Sequence, residues 1–448
     1  MVTGLRSIDA LFGLESRIGG ILTFEAALAR VSARMGVIPP VVGEVIASQC
    51  NLANFDLAAI ESEAEVAGNE AIPVIDQLRA LVASIDPDAA NFVHWGATSQ
   101  DAIDTAFVLN LRRALGTIGD ELEKLVTLLA DIADLHAATP MVGRTLLQEA
   151  APTTFGFKVA GWLDALMRHR ARFTRARDGA RVIQFGGAVG NLSAFGDKGP
   201  RVGGAVAAEL ELVNPDVAWH SNRDRLVEVA TTLAGLVGTL GKSARDISLL
   251  AQSEIAEVRE PAVDGRGRSS TMPQKRNPVG CAAILAAAVR APGLAATMLS
   301  AMPQEHERGL AGWQSEWTTL PELVSLAHVA LVHMTLVAVG LEIDGARMMR
   351  NISATNGLVF AEAVSLALRS RLARAQASEI LSRAIRATNH QTTLRMAIEA
   401  DAAAATALSI DEIEALFDVR QHLGIAEQAA REVAAAARVK LGPPADER

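Results

Sequence analysis

The chain has no tyrosine, only two cysteines, and an aromatic content of 4%. Each shortage excludes something. Without tyrosine, no phenol can act as an acid or base. Cys50 and Cys281 are too few for a disulfide framework and suit a reducing cytoplasm. No grouping of cysteine and histidine has the spacing of a zinc site, so neither a metal nor another cofactor is expected. A net charge of −9 argues against nucleic acid as a partner. The opening residues, with Arg6, Asp9, Glu15 and Arg17, contain no long apolar core, so no secretory signal is expected. There is no repeat of 20 to 50 residues and no low-complexity linker.

What is present is half hydrophobic, dominated by alanine and leucine, over 448 residues. That is enough chain for two or three domains, and the composition favours helices over sheets. Ile21, Leu22, Phe24, Leu28, Val31 and Met35 recur at helical spacing, and Gly36 with Pro39-Pro40 ends that helix. A second stripe runs from Leu111 through Leu115, Ile118, Leu122, Leu125 and Leu129 to Ile132. Pro152 is expected to open a helix toward Arg177, and residues 181–195 read as a small hairpin or glycine-rich turn. From Asp224 to Arg259 there is no proline, and the apolar stripe predicts one helix longer than about 50 Å at ~1.5 Å per residue. Ser409-Ile410-Asp411-Glu412 is a capping box, and the tail from Pro443 reads as loose. Two segments, Val279 to Met302 and Leu323 to Gly340, are apolar enough to resemble membrane spans. Charged amphipathic helices surround both, so they read as core helices of a large bundle, with no membrane partner.

The chemistry concentrates in Arg268-Ser269-Ser270-Thr271-Met272-Pro273-Gln274-Lys275-Arg276-Asn277-Pro278, a loop set between helical blocks by Gly265, Gly267 and Gly280. Two adjacent hydroxyls, two adjacent cations and several N–H donors suit gripping a carboxylate and handling a proton beside it. A second polar insertion, His94 with Thr98, Ser99, Gln100 and Asp101, brings a histidine next to clustered hydroxyls. A third is Gly143-Arg144-Thr145-Leu146-Leu147-Gln148, and a fourth is Met302 to Arg308, with Gln304, Glu305, His306 and Glu307. Two lookalikes fail. Gly241-Lys242-Ser243 lacks a P-loop glycine at the right distance, and Gly186 to Gly190 has no strand–helix frame for a dinucleotide.

The loop resembles the G-S-S-x-M-P-x-K-x-N-P signature of the fumarase/aspartase superfamily, with Arg268 where the family has glycine. His94 to Asp101 is similar to its H-x-G-x-T-S-x-D region, and Gly143 to Pro152 to its G-R-T-H-x-Q-x-A-x-P region. Met302 to Arg308 and Arg245 to Leu250 resemble stretches of the carboxymuconate cycloisomerase branch. The resemblance implies a mainly α, three-domain fold: 1–110 helical, 111–353 a central long-helix bundle, 354–448 helical. It further implies a homotetramer with a twenty-helix core, whose active sites each draw on three subunits. Ser269, His94 and Lys275 are then the implied catalytic residues. Thr98, Ser99, Arg144, Thr145, Gln148, Ser270, Arg276, Asn277 and Arg308 are the implied substrate contacts.

The superfamily moves a proton next to a carboxylate while a group leaves or attacks the neighbouring carbon. In the cycloisomerase branch the substrate's own carboxylate attacks and closes a lactone, as in catabolism of protocatechuate-type aromatics. Leu146 replaces the histidine that serves adenylosuccinate and argininosuccinate lyases as a general acid, and leucine exchanges no proton. That disfavours those lyases. A sulfomuconate-using relative stays open at Gln274, where many such enzymes have histidine. A non-catalytic relative is disfavoured by retention of Ser269, Lys275 and Asn277.

Overall fold

The computed structural model describes residues 8–262, 267–272 and 274–441; Arg6, Gly265, Pro273 and the tail Pro443 to Arg448 lie outside them. The described residues are mainly helical. In chain order the helices are α1 (Leu14–Arg34), α2 (Pro40–Gln49), α3 (Leu57–Ala67), α4 (Ala71–Ala83), α5 (Ser99–Leu135), α6 (Phe155–Gly179), α7 (Gly199–Glu209), α8 (Asp224–Leu250), α9 (Val279–Ser300) and α10 (Gly312–Val339). Shorter ones follow: α11 (Gly345–Ala354), α12 (Ala361–Arg369), α13 (Arg374–Ala387), α14 (Leu394–Glu399), α15 (Ala402–Ala407), α16 (Ile410–Leu416) and α17 (Ala426–Leu441). Contacts divide the chain into two compact units.

The first unit comprises Met1–Glu121, His169–Gly238 and Ala286–Leu331. Its core is built on the apolar face of α1, where Ile18, Ile21, Leu22, Phe24, Leu28 and Val31 are almost fully buried. Helix α1 packs on α2 and α7. Phe24, Phe185 and Phe195 stack edge to face beside it. Burying such side chains contributes about 1.5–3 kcal/mol each.

The second unit comprises Leu122–Arg168, Thr239–Leu285 and Val332–Arg448. It holds an antiparallel hairpin, β1 (Pro140–Thr145) with β2 (Gln148–Thr154), and a short pairing of β3 (Val258–Arg259) with β4 (Glu342–Ile343). Helix α11 packs against β1. Val364, Leu368, Ile380, Leu394, Ile398 and Ile413 form a separate apolar core for the C-terminal helices. The Ser409–Glu412 capping box is present in both halves at the start of α16.

Three expectations are corrected. First, α8 ends at Leu250 rather than Arg259, so it spans 27 residues, about 40 Å at ~1.5 Å per residue. The chain turns there because Ala256 adopts a φ of 51° and Glu257 N–H donates to Leu250 O at 2.9 Å. Second, the hairpin lies at 140–154, not at 181–195, and α6 starts at Phe155 rather than Pro152. Its two-residue turn is Leu146-Leu147, with φ of 50° and 65°. Such primed turns favour glycine and asparagine, which is why the turn is invisible in the sequence. Third, of the two readings for residues 181–195 the glycine-rich turn holds, at Ala188-Val189 between Gly187 and Gly190, and the hairpin does not; Val182 makes one isolated parallel bridge with Val213.

Helices α9 and α10 are long and apolar enough to pass the test for a membrane span, yet their most apolar windows are 33% and 50% buried within the single chain. Pro292 and Pro321 lie inside them.

Candidate active site

In the first unit, the loop 93–98 delivers the chain to the N-terminus of α5. The free N–H groups and dipole there favour a bound anion. Asp101 sits in the first turn and is fully buried. Its Oδ1 accepts from Gly186 N–H at 3.0 Å and from His220 Nε2 at 2.7 Å. Its Oδ2 accepts from Gly187 N–H at 2.8 Å and from Thr98 N–H at 3.1 Å. One carboxylate thus fastens the Thr98 loop to the 186–190 segment. The backbones meet closely: Gly187 has a φ of 71°, and a Cβ there would lie 2.7 Å from Gly96 O.

Arg308 closes this group from a segment far along the chain. It donates from Nε to Gln100 Oε1, from Nη1 to Thr98 Oγ1 and from Nη2 to Ala188 O, each at 3.1 Å. The guanidinium remains exposed. Thr98, Ser99 and Arg308 therefore gather at the start of α5 as a hydroxyl-and-cation surface suited to a carboxylate.

Below it, Gln100 Nε2 donates to Asp104 Oδ2 at 3.1 Å and to His220 O at 2.9 Å. Asp104 and Glu316 both grip Arg223, a nearly fully buried arginine. Arg223 is bidentate to Asp104 at 2.7 and 3.0 Å and to Glu316 at 2.6 to 3.1 Å. Its guanidinium also lies 4.7 Å from the Trp219 ring centroid. Burial works against the Arg223 charge, but the two carboxylates outweigh it and hold the guanidinium above its ordinary value. Burial pushes Glu316 up, with Arg223 opposing.

His94 stands at a φ of 61°, a strained setting for a non-glycine residue. Its Nδ1 is 2.6 Å from Glu25 Oε1 on α1. Glu25, Asp104, His220, Arg223 and Glu316 did not emerge from the sequence. The available signal was Asp101, Asp104 and Thr105 at helical spacing in an otherwise apolar stripe, each needing a buried partner.

In the second unit, Arg144 is bidentate to buried Glu257 at 3.0 and 2.8 Å, and Asn351 Nδ2 donates to the same carboxylate at 2.7 Å. Thr145, Leu146 and Gln148 are exposed at the hairpin tip, Leu146 to 97%. Nearby Lys158 is held below its ordinary value, by burial first and by Lys242 and Arg144, with Asp246 and Glu257 opposing.

The signature loop is braced at its ends. Glu260 accepts from Gly280 N–H at 3.0 Å and Cys281 N–H at 2.7 Å, capping α9. Arg276 pairs with Glu342 at 2.9 and 3.1 Å and donates to Glu260 O, so its guanidinium is engaged at the base of the loop. Asn277 N–H and Nδ2 both donate to Gly267 O, at 3.0 and 3.1 Å. Ser269 Oγ accepts from Thr271 N–H at 3.3 Å and Met272 N–H at 3.0 Å. Two donors on one hydroxyl oxygen favour its anionic form. Ser270 and Lys275 are exposed. Ser269, Ser270, Lys275, Arg276, Asn277, Arg144, Thr145 and Gln148 thus belong to the second unit, and His94, Thr98, Ser99 and Arg308 to the first. Among the described residues no group of acidic, cysteine and histidine side chains could hold a metal ion.

A family model described as lyase matches residues 12–293, and one described as adenylosuccinate lyase C-terminus matches residues 357–433. The chain is 48% identical, over 93% of its length and 91% of the relative's, to 3-carboxy-cis,cis-muconate cycloisomerase of Pseudomonas aeruginosa. The crystal structure of 3-carboxy-cis,cis-muconate lactonizing enzyme from Pseudomonas putida superposes with a TM-score of 0.91 at 44% identity, covering 97% of each chain. That of β-carboxy-cis,cis-muconate cycloisomerase from Acinetobacter calcoaceticus gives 0.90 at 36% identity, covering 96% of this chain and 98% of the other. A loop with a donor-flanked serine, a hydroxyl pair at a helix start and a mainly helical fold agree with these matches: the chain belongs to the fumarase/aspartase superfamily of lyases, in its 3-carboxy-cis,cis-muconate cycloisomerase branch.

Proposed function

We propose that the chain is a cycloisomerase that closes 3-carboxy-cis,cis-muconate to a carboxymuconolactone in aromatic catabolism. The carrying observation is Leu146, exposed to 97% at the hairpin tip where the related lyase signature has a proton-transferring histidine. A lyase must protonate a departing group; an internal addition expels nothing and does without that acid. In the closure, a carboxylate oxygen lone pair forms the C–O bond. The double-bond pair moves onto the neighbouring carbon and into its carboxylate, and one proton is then added to that carbon. The substrate trianion becomes a lactone dianion.

Three parts serve that path. Thr98, Ser99 and Arg308 hold carboxylates and fold the diene acid so that oxygen meets carbon, a positioning task. Lys275 and the loop N–H groups stabilise the charge that develops, each by a few kcal/mol. Ser269 and His94 are the two groups suited to the proton. Ser270, Arg144, Thr145, Gln148, Arg276 and Asn277 complete the substrate surface, with Arg144 and Arg276 acting from their carboxylate partners.

The chain is proposed to work as a cytoplasmic homotetramer with active sites shared between three subunits. Among the described residues, five helices of 22 to 37 residues would supply a twenty-helix core in four copies. Exposed Val289 on α9 and Val339 on α10, at 80% and 66%, support a partner surface. Among the described residues neither Cys50 nor Cys281 forms a disulfide, which supports a reducing compartment. Of the proposed three-domain division at residues 110 and 353, the boundary at 353 is supported by the separate C-terminal core.

The test is loss of ultraviolet absorbance when purified protein meets 3-carboxy-cis,cis-muconate, with adenylosuccinate and fumarate as controls. Turnover of the first alone is expected. Turnover of adenylosuccinate without the muconate overturns the proposal.

A further inference from the structure

We propose that Glu25 is a positioning residue of the active site: its buried carboxylate keeps His94 a cation, fixes the proton on Nδ1, and leaves Nε2–H as the donor offered to substrate. What His94 meets rests on the cycloisomerase reading above; the Glu25–His94 pair itself does not.

Glu25 lies in the middle of α1, among Ile21, Leu22, Phe24, Ala26 to Ala29 and Val31, and is 1% exposed. A carboxylate in such a setting is costly unless it is paired. Its Oε1 has His94 Nδ1 at 2.6 Å, while Oε2 is buried and has no hydrogen-bond partner among the described residues. The histidine is therefore the group that offsets the charge. A bond of this length between ring nitrogen and carboxylate has the form of a charge-assisted one. His94 makes no hydrogen bond through Nε2 among the described residues, and its side chain is 13% exposed, so one edge of the ring is spoken for and the other is free. The backbone of His94 is held at a positive φ four residues before Thr98, on the loop that Asp101 fastens. An apolar core position with a carboxylate, a histidine in the left-handed region and a free ring edge on a substrate loop are hard to explain as packing alone.

The charges around the ring agree. Burial lowers the affinity of His94 for a proton; the charge and hydrogen bond of Glu25 and the charge of Asp101 raise it more, and Arg79 on α4 opposes them. The balance lies above the ordinary histidine value. Cys50, at the end of α2, adds no charge: burial first, then Glu25, push its thiol up to about 12, with Arg30 opposing. An imidazolium here would face a substrate whose negative charge concentrates during ring closure.

Glu25→Gln keeps the shape and a hydrogen-bond acceptor and removes only the charge. Two readouts apply, both on the full-length protein. The first is the pH profile of kcat/KM with 3-carboxy-cis,cis-muconate. The alkaline limb, where His94 loses its proton, is expected to move to lower pH in Glu25→Gln, with activity converging on wild type at low pH. Glu25→Asp, which keeps the charge, is expected to leave the limb in place. A superimposable limb in Glu25→Gln, or an equal shift in Glu25→Asp, overturns the inference. The second readout is the titration of His94 by NMR of histidine-labelled protein, assigned with His94→Asn. A wild-type midpoint above the ordinary histidine value, falling in Glu25→Gln, is expected. If Glu25→Gln fails to fold, the wild-type midpoint alone decides, and a value below ordinary histidine overturns the inference. Wild-type protein that does not turn over the muconate sinks the functional reading, and the titration then decides the pair by itself.

Discussion

Replacing Asp101 by asparagine tests the reasoning most directly, because one atom changes and four hydrogen bonds depend on it. Asp101 is fully buried, and each carboxylate oxygen accepts two N–H groups: Gly186 and His220 on one, Gly187 and Thr98 on the other. In Asp101→Asn one of those oxygens becomes an NH2 group, which accepts nothing. With the NH2 group at the Oδ2 place, Gly187 and Thr98 N–H lose their acceptor and confront another donor; at the Oδ1 place, Gly186 N–H does so and His220 must give up its Nε2 proton to accept instead. Hydrogen bonds to a charged group contribute about 1.5–3 kcal/mol each, so the loss is roughly 3–6 kcal/mol. At about 2–4 °C per kcal/mol for a unit of this size, the melting temperature should fall on the order of 10 °C. The assay is calorimetric melting of the variant beside Asp120→Asn, an exposed position on the same helix, which should stay within about 0.5 kcal/mol. A drop of less than about 2 °C for Asp101→Asn would refute the claim that this carboxylate fastens the Thr98 loop.

Ser269→Ala should lower turnover by orders of magnitude while melting as wild type does; near-normal turnover would remove Ser269 from the mechanism. Arg308→Ala strips the exposed guanidinium from Thr98 and Gln100, so KM should rise on the order of tenfold to hundredfold with little change in melting, read by steady-state kinetics. An unchanged KM would separate Arg308 from substrate. Glu260→Ala removes the acceptor of Gly280 and Cys281 N–H and should cost about 1–2 kcal/mol at the start of α9. Faster hydrogen exchange at those two amides checks it, and unchanged protection would show the cap to be idle.

The long helices were legible because their apolar residues repeat at the helical period over many turns, and neither a strand nor a loop sustains that period. The ends were less so. Nothing in the residues after Leu250 is a strong stop signal; the helix ends where Glu257 is drawn into a buried pair with Arg144 and Asn351. The hairpin was hidden for a similar reason, since Leu146-Leu147 is poor turn chemistry and the strands are held by their pairing and by α11 packing on β1.

For the site, the sequence alone supplied the candidate side chains: the Ser269 to Asn277 loop, the Thr98-Ser99 pair and the leucine at position 146 where the related lyase signature has histidine. Those are covalent facts, fixed by residue type and spacing. Only the tertiary structure decided what each is held by. Glu25 meets His94 across 69 residues, and Arg223 meets Asp104 across 119, because burying a charge forces a search for a partner that chain proximity does not supply.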